Sequence, residues 1–445
     1  MRLGLVSFCH DGYPKEELST WFTECAGLFS RAEIFSAGLV CTGAEAKEKA
    51  VMFINVDAVV VICLSAFPSV DAVDFLMPYI EKPILLWHVP ARDVTDRKLT
   101  LGASAAGFSS LRYPLAKLGA NRMCCFSGKT DSGETVRFIN DWLCAMRAFC
   151  GLRGSRVGMA GYSDLGFYTG TFDHLSLKRI FGAEVVHIPL TEVIKELNTI
   201  SPMEAEEPLN LITTCQNAGE LPSELLLNTA KSYAALKRIL SRYSLDALSL
   251  KCFEGFTANA GFTPCMALSL LAEKFPVSCK CDMHAMLSVQ ALSLVSGETA
   301  AFFELYDLVN GNLLMANCGM SPQNHIEGKR KLDRFTWGGI DGVIDASTRK
   351  QGPVTLLRFD KDEGNNYFCH TLAASAKLPP AWMELGWSEP APNFPSLEID
   401  TNGPAFLINS PGQHYALCYG DYSGALALLA KMLGIKQIAG EGNAK

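Results

Sequence analysis

Short apolar runs of strand length alternate with amphipathic helical patterns through the first 300 residues of this 445-residue chain. Residues 3–8, 58–64 and 83–87 have the length and apolar content of buried strands. Residues 14–26 and 134–149 instead carry apolar side chains at helical spacing. Strands that alternate with helices pair in parallel, because each helix provides the crossover to the next strand. We therefore expect an α/β fold built on doubly wound parallel sheets.

Changes along the chain predict three domains. A glycine-containing segment at 151–155 precedes a new strand at 156–160. After residue 300, strand-like runs separated by Gly, Pro and Asn turns indicate a mainly β structure, which a late helix at 423–433 closes. The predicted domains are a Rossmann-like α/β domain at 1–152, a second Rossmann-like α/β domain at 153–300 and a β-rich domain at 301–445.

The composition, with 49% hydrophobic and 19% charged residues, is that of a globular protein with large buried sheets. A formal net charge of -7 argues against binding to nucleic acid or to an anionic membrane surface. The most apolar run, residues 58–64, is too short to span a bilayer, and the chain enters its first strand without a signal-peptide pattern. We therefore expect a cytoplasmic protein with no nucleic-acid or membrane partner.

The sixteen cysteines do not have the spacing of a disulfide framework or a zinc site. Most lie inside apolar segments, as Cys63 and Cys418 do, where a reduced cysteine behaves as a small hydrophobic residue. No two are spaced as Cys-x-x-Cys, and the pair Cys279 and Cys281 does not match zinc-ligand spacing. The sequence predicts reduced thiols in the core.

Three motifs of nucleotide-binding proteins and hydrolases are incomplete. Residues 126–130 end like a phosphate-binding loop, but Met123 stands where that loop begins with glycine. Gly158 and Gly161 follow a strand without the third glycine of a dinucleotide-binding fingerprint. No Gly-x-Ser-x-Gly turn accompanies a suitable His and acid. We expect neither a nucleotide cofactor nor a serine hydrolase.

Three polar residues occupy positions that suit chemistry. Lys280 lies between an apolar strand and a helix that Asp282 is placed to cap, at the sheet edge where ligands bind; a solvated turn lysine is the alternative. Glu304 lies in an apolar strand, where it is either paired in the interior or, by strand alternation, exposed to water. His414 follows a Pro-Gly turn and enters a strand, either as a ligand or as a hydrogen-bonded structural group.

Two segments resemble the active-site segments of the L-fucose isomerase family. They are residues 250–319, with a Cys-x-Cys-Asp entry to a helix, and residues 411–435, with the run His-Tyr-Ala-Leu-Cys-Tyr-Gly-Asp. The resemblance puts Lys280 where the family has a metal-binding Glu, Glu304 where it has an Asp, and His414 at the family's His. It implies two α/β domains before a β-rich domain. It also implies a homo-oligomer, a trimer or hexamer, whose neighbouring subunit helps line the site.

In that family a divalent metal, usually Mn²⁺, assists the isomerisation of an aldose to a ketose through an enediol. The resemblance implies a small sugar as substrate and Glu304 as the acid and base. Glu304 and His414 are the remaining metal ligands, and His414 is alternatively a ligand of the substrate. Lys280 weakens such a site, because an ammonium repels a divalent cation. Lys280 then replaces the charge of the metal, acts as a base with a depressed pKa, or forms an imine with the sugar.

Further candidates follow from the same resemblance. Asn317 stands where the family often has His, and His10 follows the first strand, from which it would reach the site of a neighbouring subunit; we expect both to bind substrate. Glu254, Asp307 and His325 lie close in sequence to the key segments and either supply a replacement ligand or serve as surface and structural residues.

The leading expectation is an aldose–ketose isomerase that uses Mn²⁺ or works without a metal. The alternatives are a sugar-binding protein without turnover and an imine-forming lyase that uses Lys280.

Overall fold

The computed structural model describes residues 1–90, 103–380 and 396–440 of the chain. The chain forms two compact units, one of Met1–Cys150 with Gly424–Ile435 and one of Gly151–Ser423 with Lys436–Lys445. The division into three domains at residues 152 and 300 stays a prediction. In the described ranges, every helix is too short or too polar to cross a membrane.

The first unit contains a five-stranded parallel sheet. Its strands are β1 (Arg2–Phe8), β2 (Glu33–Val40), β3 (Ala58–Cys63), β4 (Ile84–His88) and β5 (Met123–Ser127). Its helices are α1 (Lys15–Gly27), α2 (Gly43–Ala50), α3 (Ser69–Leu76), α4 (Ser104–Lys117) and α5 (Gly133–Leu152). The strand order is β2-β1-β3-β4-β5. The central strand β3 is buried along its whole length, as its uninterrupted apolar sequence predicts.

The second unit begins with a four-stranded parallel sheet. Its strands are β6 (Arg156–Ala160), β7 (Glu184–Ile188), β8 (Ala247–Leu250) and β9 (Val277–Cys279), in the order β7-β6-β8-β9. The accompanying helices are α6 (His174–Phe181), α7 (Leu190–Thr199), α8 (Pro202–Thr213), α9 (Ser223–Arg242), α10 (Ala258–Ala260), α11 (Cys265–Leu271) and α12 (Met283–Ser296). A π-helical turn, Cys252–Thr257, follows β8. The two parallel sheets confirm the predicted α/β class.

A barrel follows in the same unit. The elements of this region are β10 (Ala301–Val309), β11 (Asn312–Ala316), β12 (Leu332–Trp337), β13 (Ile340–Asp345), β14 (Gly352–Lys361), β15 (Tyr367–Lys377), β16 (Leu397–Asp400), α13 (Gly403–Ile408), β17 (His414–Tyr419) and β18 (Lys436–Ala439), of which all strands except β12 and β13 share one sheet. The order is β14-β17-β10-β11-β16-β15-β18, and pairing of β14 with β15 closes six strands into a ring. Closure removes the free edges of an open sheet. The predicted β-rich region is confirmed, and β12 and β13 form a separate hairpin.

Two expectations are corrected. Cys9 and Cys41 form a disulfide, whereas the sequence predicts reduced thiols. These two residues directly follow Phe8 and Val40, which are paired in parallel strands, so their closeness depends on sheet register rather than on local spacing. The late helix α14 (Ser423–Leu433) belongs mainly to the first unit, where its Met432 carbonyl accepts a hydrogen bond from Arg122, and it does not close the β-rich region.

His325 predicts a pH dependence of stability. It is buried, its Nε2 lies 3.1 Å from the Thr299 carbonyl, and burial lowers its pKa from an ordinary 6.5 to about 3. Because the unfolded chain takes up the proton first, His325 contributes stability above pH 6.5 that is lost as the pH falls towards about 3. We expect His325→Gln to have a shallower decline in the free energy of unfolding across that window, measured by urea denaturation.

The control is Gln323→Asn, at an exposed residue that carries no titratable group, which should retain the wild-type pH dependence. An unchanged slope for His325→Gln would contradict the prediction.

Candidate active site

The chain leaves the parallel sheet through two residues in the left-handed region. Lys280 has φ +69° and Cys281 has φ +51°, a conformation that costs about 1–2 kcal/mol for a residue with a side chain. The Lys280 N–H donates to the Leu250 carbonyl at 2.9 Å, and the Lys280 carbonyl accepts from the Asp164 N–H at 3.0 Å. These bonds hold the strained turn, and strain of this kind clusters at functional sites. Lys280 is only 4% exposed, so its reading as a solvated turn residue is wrong.

Glu304 lies on the outer face of the barrel. Phe303 and Leu305 pack in the barrel core, as strand alternation requires. The outer face is also covered, since β10 contacts β9 and α12, and the Glu304 side chain is 17% exposed. The choice left open by the sequence is thereby decided in favour of a paired carboxylate in a largely covered position.

Lys280 and Glu304 form a bidentate ion pair. The Lys280 Nζ donates to Glu304 Oε1 at 2.8 Å and to Oε2 at 2.6 Å. The rings of Phe167 and Phe253 flank the ammonium, with centroids 5.7 Å and 5.6 Å from Nζ. Burial by itself lowers the pKa of Lys280, but the adjacent carboxylate outweighs burial and raises that pKa well above its ordinary value.

The direction of this pKa shift tests two expected roles of Lys280, that of a base and that of an imine-forming amine. A base with a depressed pKa requires a shift of the opposite sign, so that expectation is wrong. Imine formation needs the neutral amine, which this environment strongly disfavours. The charge of Lys280 is thus the property that the site can use.

His414 is fully buried at the beginning of β17 and is held through one ring nitrogen. Its Nδ1 lies 2.9 Å from Asp282 Oδ2. Its Nε2 has no hydrogen-bond partner among the described residues and lies 3.8 Å from Glu304 Oε2. Glu304 and His414 are paired residues in the register of β10 and β17, which brings their side chains together. Glu304 therefore contacts Lys280 on one side and lies near His414 on the other.

Asp282 has two roles, of which the sequence predicts one. Its Oδ1 accepts the Ala285 N–H at 3.1 Å, which confirms the predicted N-cap of α12. Its Oδ2 lies within hydrogen-bond distance of the His414 Nδ1 and accepts from the Arg358 guanidinium at 2.8 Å. Burial would raise the pKa of Asp282, but Arg358 and His414 hold it well below its usual value. Sequence reasoning missed Arg358, whose only signal is an arginine in an apolar strand.

Asn317 is buried with a fixed amide orientation. Its Oδ1 accepts from the Gly319 N–H and from the Arg349 guanidinium, both at 3.2 Å. Its Nδ2 has no partner in the part of the chain that the structure describes. Asn317 and Glu304 line the same small pocket, where Nδ2 is a donor suited to a substrate oxygen.

Thiols form much of the wall of this pocket, which sequence reasoning did not foresee. The lining cysteines are Cys252, Cys265, Cys279 and Cys318. Burial raises the pKa of Cys265 to about 12 and that of Cys318 well above its ordinary value, so these thiols stay protonated. The free space between the lining side chains holds about one water molecule. A sugar therefore enters only if side chains move.

The remaining sequence candidates have contacts of their own. Glu254 is exposed and accepts the Leu165 N–H at 3.1 Å. Asp307 is exposed and accepts the next backbone N–H at 2.8 Å. His325 is the buried structural group described above. His10 is exposed in the first unit, and its role at a neighbouring subunit's site stays a prediction.

The residues of the site do not fit a tightly bound Mn²⁺. Both oxygens of Glu304 accept from the Lys280 ammonium, which lies where a cation would bind them. Among the described residues around Glu304, the His414 imidazole is a further possible donor, whereas burial keeps the Cys318 thiol protonated, and this set is too small for a stable site. Across the described ranges, no group of three or more His, Cys, Asp or Glu residues has an arrangement that could hold a metal ion.

Comparisons with known proteins point to sugar isomerisation. No protein-family model matches the chain. Sulfoquinovose isomerases of Priestia aryabhattai and Priestia megaterium are each 24% identical to it over 386 residues, which cover 81% of this chain and 80% of the relative. The sulfoquinovose isomerase of Alkalicoccus urumqiensis is 24% identical over 296 residues, which cover 62% of this chain and 63% of that protein. This similarity supports the prediction of an isomerase enzyme that acts on sugars; the L-fucose isomerase resemblance itself stays a prediction.

The buried ion pair predicts an asymmetric effect of mutation on stability. We expect Lys280→Met to lower the free energy of unfolding by about 3 kcal/mol, because it leaves the Glu304 carboxylate unpaired. The double variant Lys280→Met, Glu304→Leu should recover most of that loss, since it removes both charges. Urea denaturation of the wild type, both single variants and the double variant measures the coupling.

The matched control is Lys178→Met, which breaks an ion pair with Glu184 whose side chains are 49% and 52% exposed. It should cost less than about 1 kcal/mol. Equal losses for Lys178→Met and Lys280→Met would contradict the prediction.

Proposed function

We propose that the protein is an aldose–ketose isomerase that works through an enediol and uses the Lys280 ammonium in place of a divalent metal. The observation that carries this proposal is the buried contact of Lys280 with Glu304, beside an Nε2 of His414 that has no partner in the described chain. The similarity to sulfoquinovose isomerases supports the reaction class.

Glu304 is the acid and base for carbon in this proposal. Its carboxylate takes the proton from C2 of the open-chain aldose, and the C–H electron pair forms the C1=C2 bond of the enediol while the C1 carbonyl oxygen becomes negative. The same carboxyl group returns the proton to C1, and the C2 carbonyl forms. One carboxylate that reaches both carbons is enough for both proton transfers. The proton lost from C2 is returned to C1, so the reaction needs no oxidant or reductant.

Lys280 stabilises the charge that develops on the sugar oxygens. A lysine with a raised pKa stays an ammonium throughout, so its charge is present before the reaction begins. In a site with little water, such a fixed charge stabilises an enediolate far more than it would in bulk solvent. Substrate oxygens would take over one of the two Lys280–Glu304 hydrogen bonds, which also frees a Glu304 oxygen to act as the base.

His414 and Asn317 act on the oxygen atoms of the sugar. The Nε2 of His414 moves a proton between O2 and O1, as the exchange of carbonyl and hydroxyl requires. The Nδ2 of Asn317 donates to a sugar oxygen. As substrates we propose small aldoses, with sulfoquinovose first because the relatives are named for it, and L-fucose and pentoses next. A homo-oligomer in which a neighbouring subunit contributes His10 is part of the proposal.

The test is uptake of solvent deuterium at C1 or C2 of these sugars, followed by NMR, with EDTA or with added Mn²⁺. We expect exchange that survives EDTA and falls at least about 100-fold in Glu304→Gln and Lys280→Met, because each variant removes a group that acts in the transition state. The matched control is Glu254→Gln, which should exchange like the wild type.

Other outcomes would overturn the proposal in distinct ways. Exchange that requires Mn²⁺ would overturn the metal-free mechanism while leaving an isomerase. A sugar adduct trapped on Lys280 by borohydride would indicate an imine-forming lyase. Saturable binding without exchange would indicate a sugar-binding protein.

A further inference from the structure

The carboxylate of Asp282 divides its two oxygens between a helix and an imidazole. Oδ1 accepts the Ala285 N–H of α12, and Oδ2 lies 2.9 Å from the Nδ1 of His414. An ionised carboxylate only accepts hydrogen bonds, so the ring must carry its proton on Nδ1 to make this contact. A neutral imidazole with that proton on Nδ1 has its lone pair on Nε2, the atom that lies 3.8 Å from Glu304.

Arg358 holds both partners of this contact at once. The guanidinium is fully buried, and its Nη1 donates to Asp282 Oδ2 at 2.8 Å and to the backbone carbonyl of His414 at 2.9 Å. Its Nη2 donates to the Thr169 carbonyl at 3.0 Å and to Asp360. The carboxylate and the backbone of the histidine are therefore fixed relative to each other.

Aromatic packing restricts the ring in addition. The imidazole lies 4.9 Å from the Phe302 ring and 5.9 Å from the Phe167 ring, measured between centroids. A ring that is bonded at one nitrogen and packed on two sides has a single orientation, and its Nε2 then faces the Glu304 side.

We propose that Asp282 and Arg358 are positioning residues that select the Nδ1-protonated tautomer of His414, so that Nε2 accepts the hydroxyl proton of the substrate. This inference rests on the proposed function. In the reaction, Nε2 takes the proton from the C2 hydroxyl as the C2 carbonyl forms, and the resulting imidazolium, stabilised by Asp282, returns that proton to O1. The histidine ends as it began, and no further reactant is needed.

The two roles of Asp282 can be separated, because helix capping uses a different oxygen. Asn and Ser are both good N-cap residues, so Asp282→Asn and Asp282→Ser should retain the start of α12. In Asp282→Asn with Oδ1 on the cap, the amide nitrogen takes the place of Oδ2: it donates to Nδ1, which moves the ring proton to Nε2, and it removes one acceptor of the Arg358 guanidinium. In Asp282→Ser, the shorter side chain leaves Nδ1 without its acceptor.

The first measurement is the tautomer itself, read from the nitrogen-15 shifts of His414 in histidine-labelled protein and assigned by the loss of its signals in His414→Asn. We expect protonation on Nδ1 in the wild type and on Nε2 in Asp282→Asn. A wild-type ring protonated on Nε2 would overturn the inference. This readout needs no turnover, so it stays decisive even if no sugar is found to exchange and the proposed function fails.

The second measurement is steady-state kinetics on the sugar that exchanges fastest. We expect Asp282→Asn to lower kcat by about 10²- to 10⁴-fold with little change in KM, as the wrong tautomer does in other histidine–carboxylate pairs. If Asp282→Asn fails to fold, Asp282→Ser provides a second test, and we expect a similar loss of kcat in that variant. Wild-type kcat in either folded variant would overturn the inference.

The matched control is Asp173→Asn, which makes the same substitution at the N-cap of α6, where Asp173 accepts the Ser176 N–H. This variant removes the same negative charge from the N-cap of a different helix and should keep the wild-type kcat. A loss equal to that of Asp282→Asn would mean that the loss of an N-cap charge, not the tautomer, explains the effect, and would overturn the inference.

Discussion

The ion pair of Lys280 and Glu304 is the contact on which the candidate site depends. An ammonium that is 4% exposed is stable only beside a carboxylate, and the carboxylate is equally dependent on the ammonium. The pair joins the end of β9 in the parallel sheet to β10 of the barrel, so it exists only when these layers of the second unit pack together. It also accounts for the charge of Lys280 and for the poor fit of a divalent metal.

Asp282 is a second junction between the same layers. It begins α12, bonds the histidine of β17 and pairs with the arginine of β14. The bond to His414 satisfies a ring nitrogen that would otherwise be buried without a partner, which would cost about 1–3 kcal/mol. A short region of the chain, residues 280–282, therefore supplies both the positive charge beside Glu304 and the carboxylate behind His414.

Local patterns predicted the elements of the fold well. The apolar runs at 3–8, 58–64 and 83–87 became β1, β3 and β4, because burial on both faces of a parallel strand requires such runs. The N-cap at Asp282 was readable because capping involves only neighbouring residues. The closure of the barrel and the Cys9–Cys41 disulfide were not, since both depend on the register of strands far apart in sequence.

The sequence by itself determined which residue types the site contains, namely a lysine and a histidine at strand ends and an acid within a strand, together with the alternation that turns Glu304 away from the barrel core. Only the tertiary structure decided what surrounds them. Whether Lys280 is solvated or paired, which nitrogen of His414 is held, and that Arg358 lies behind Asp282 all follow from contacts across 24 to 132 residues of chain. Burial and pairing set the charge state of each group, and no local pattern encodes them.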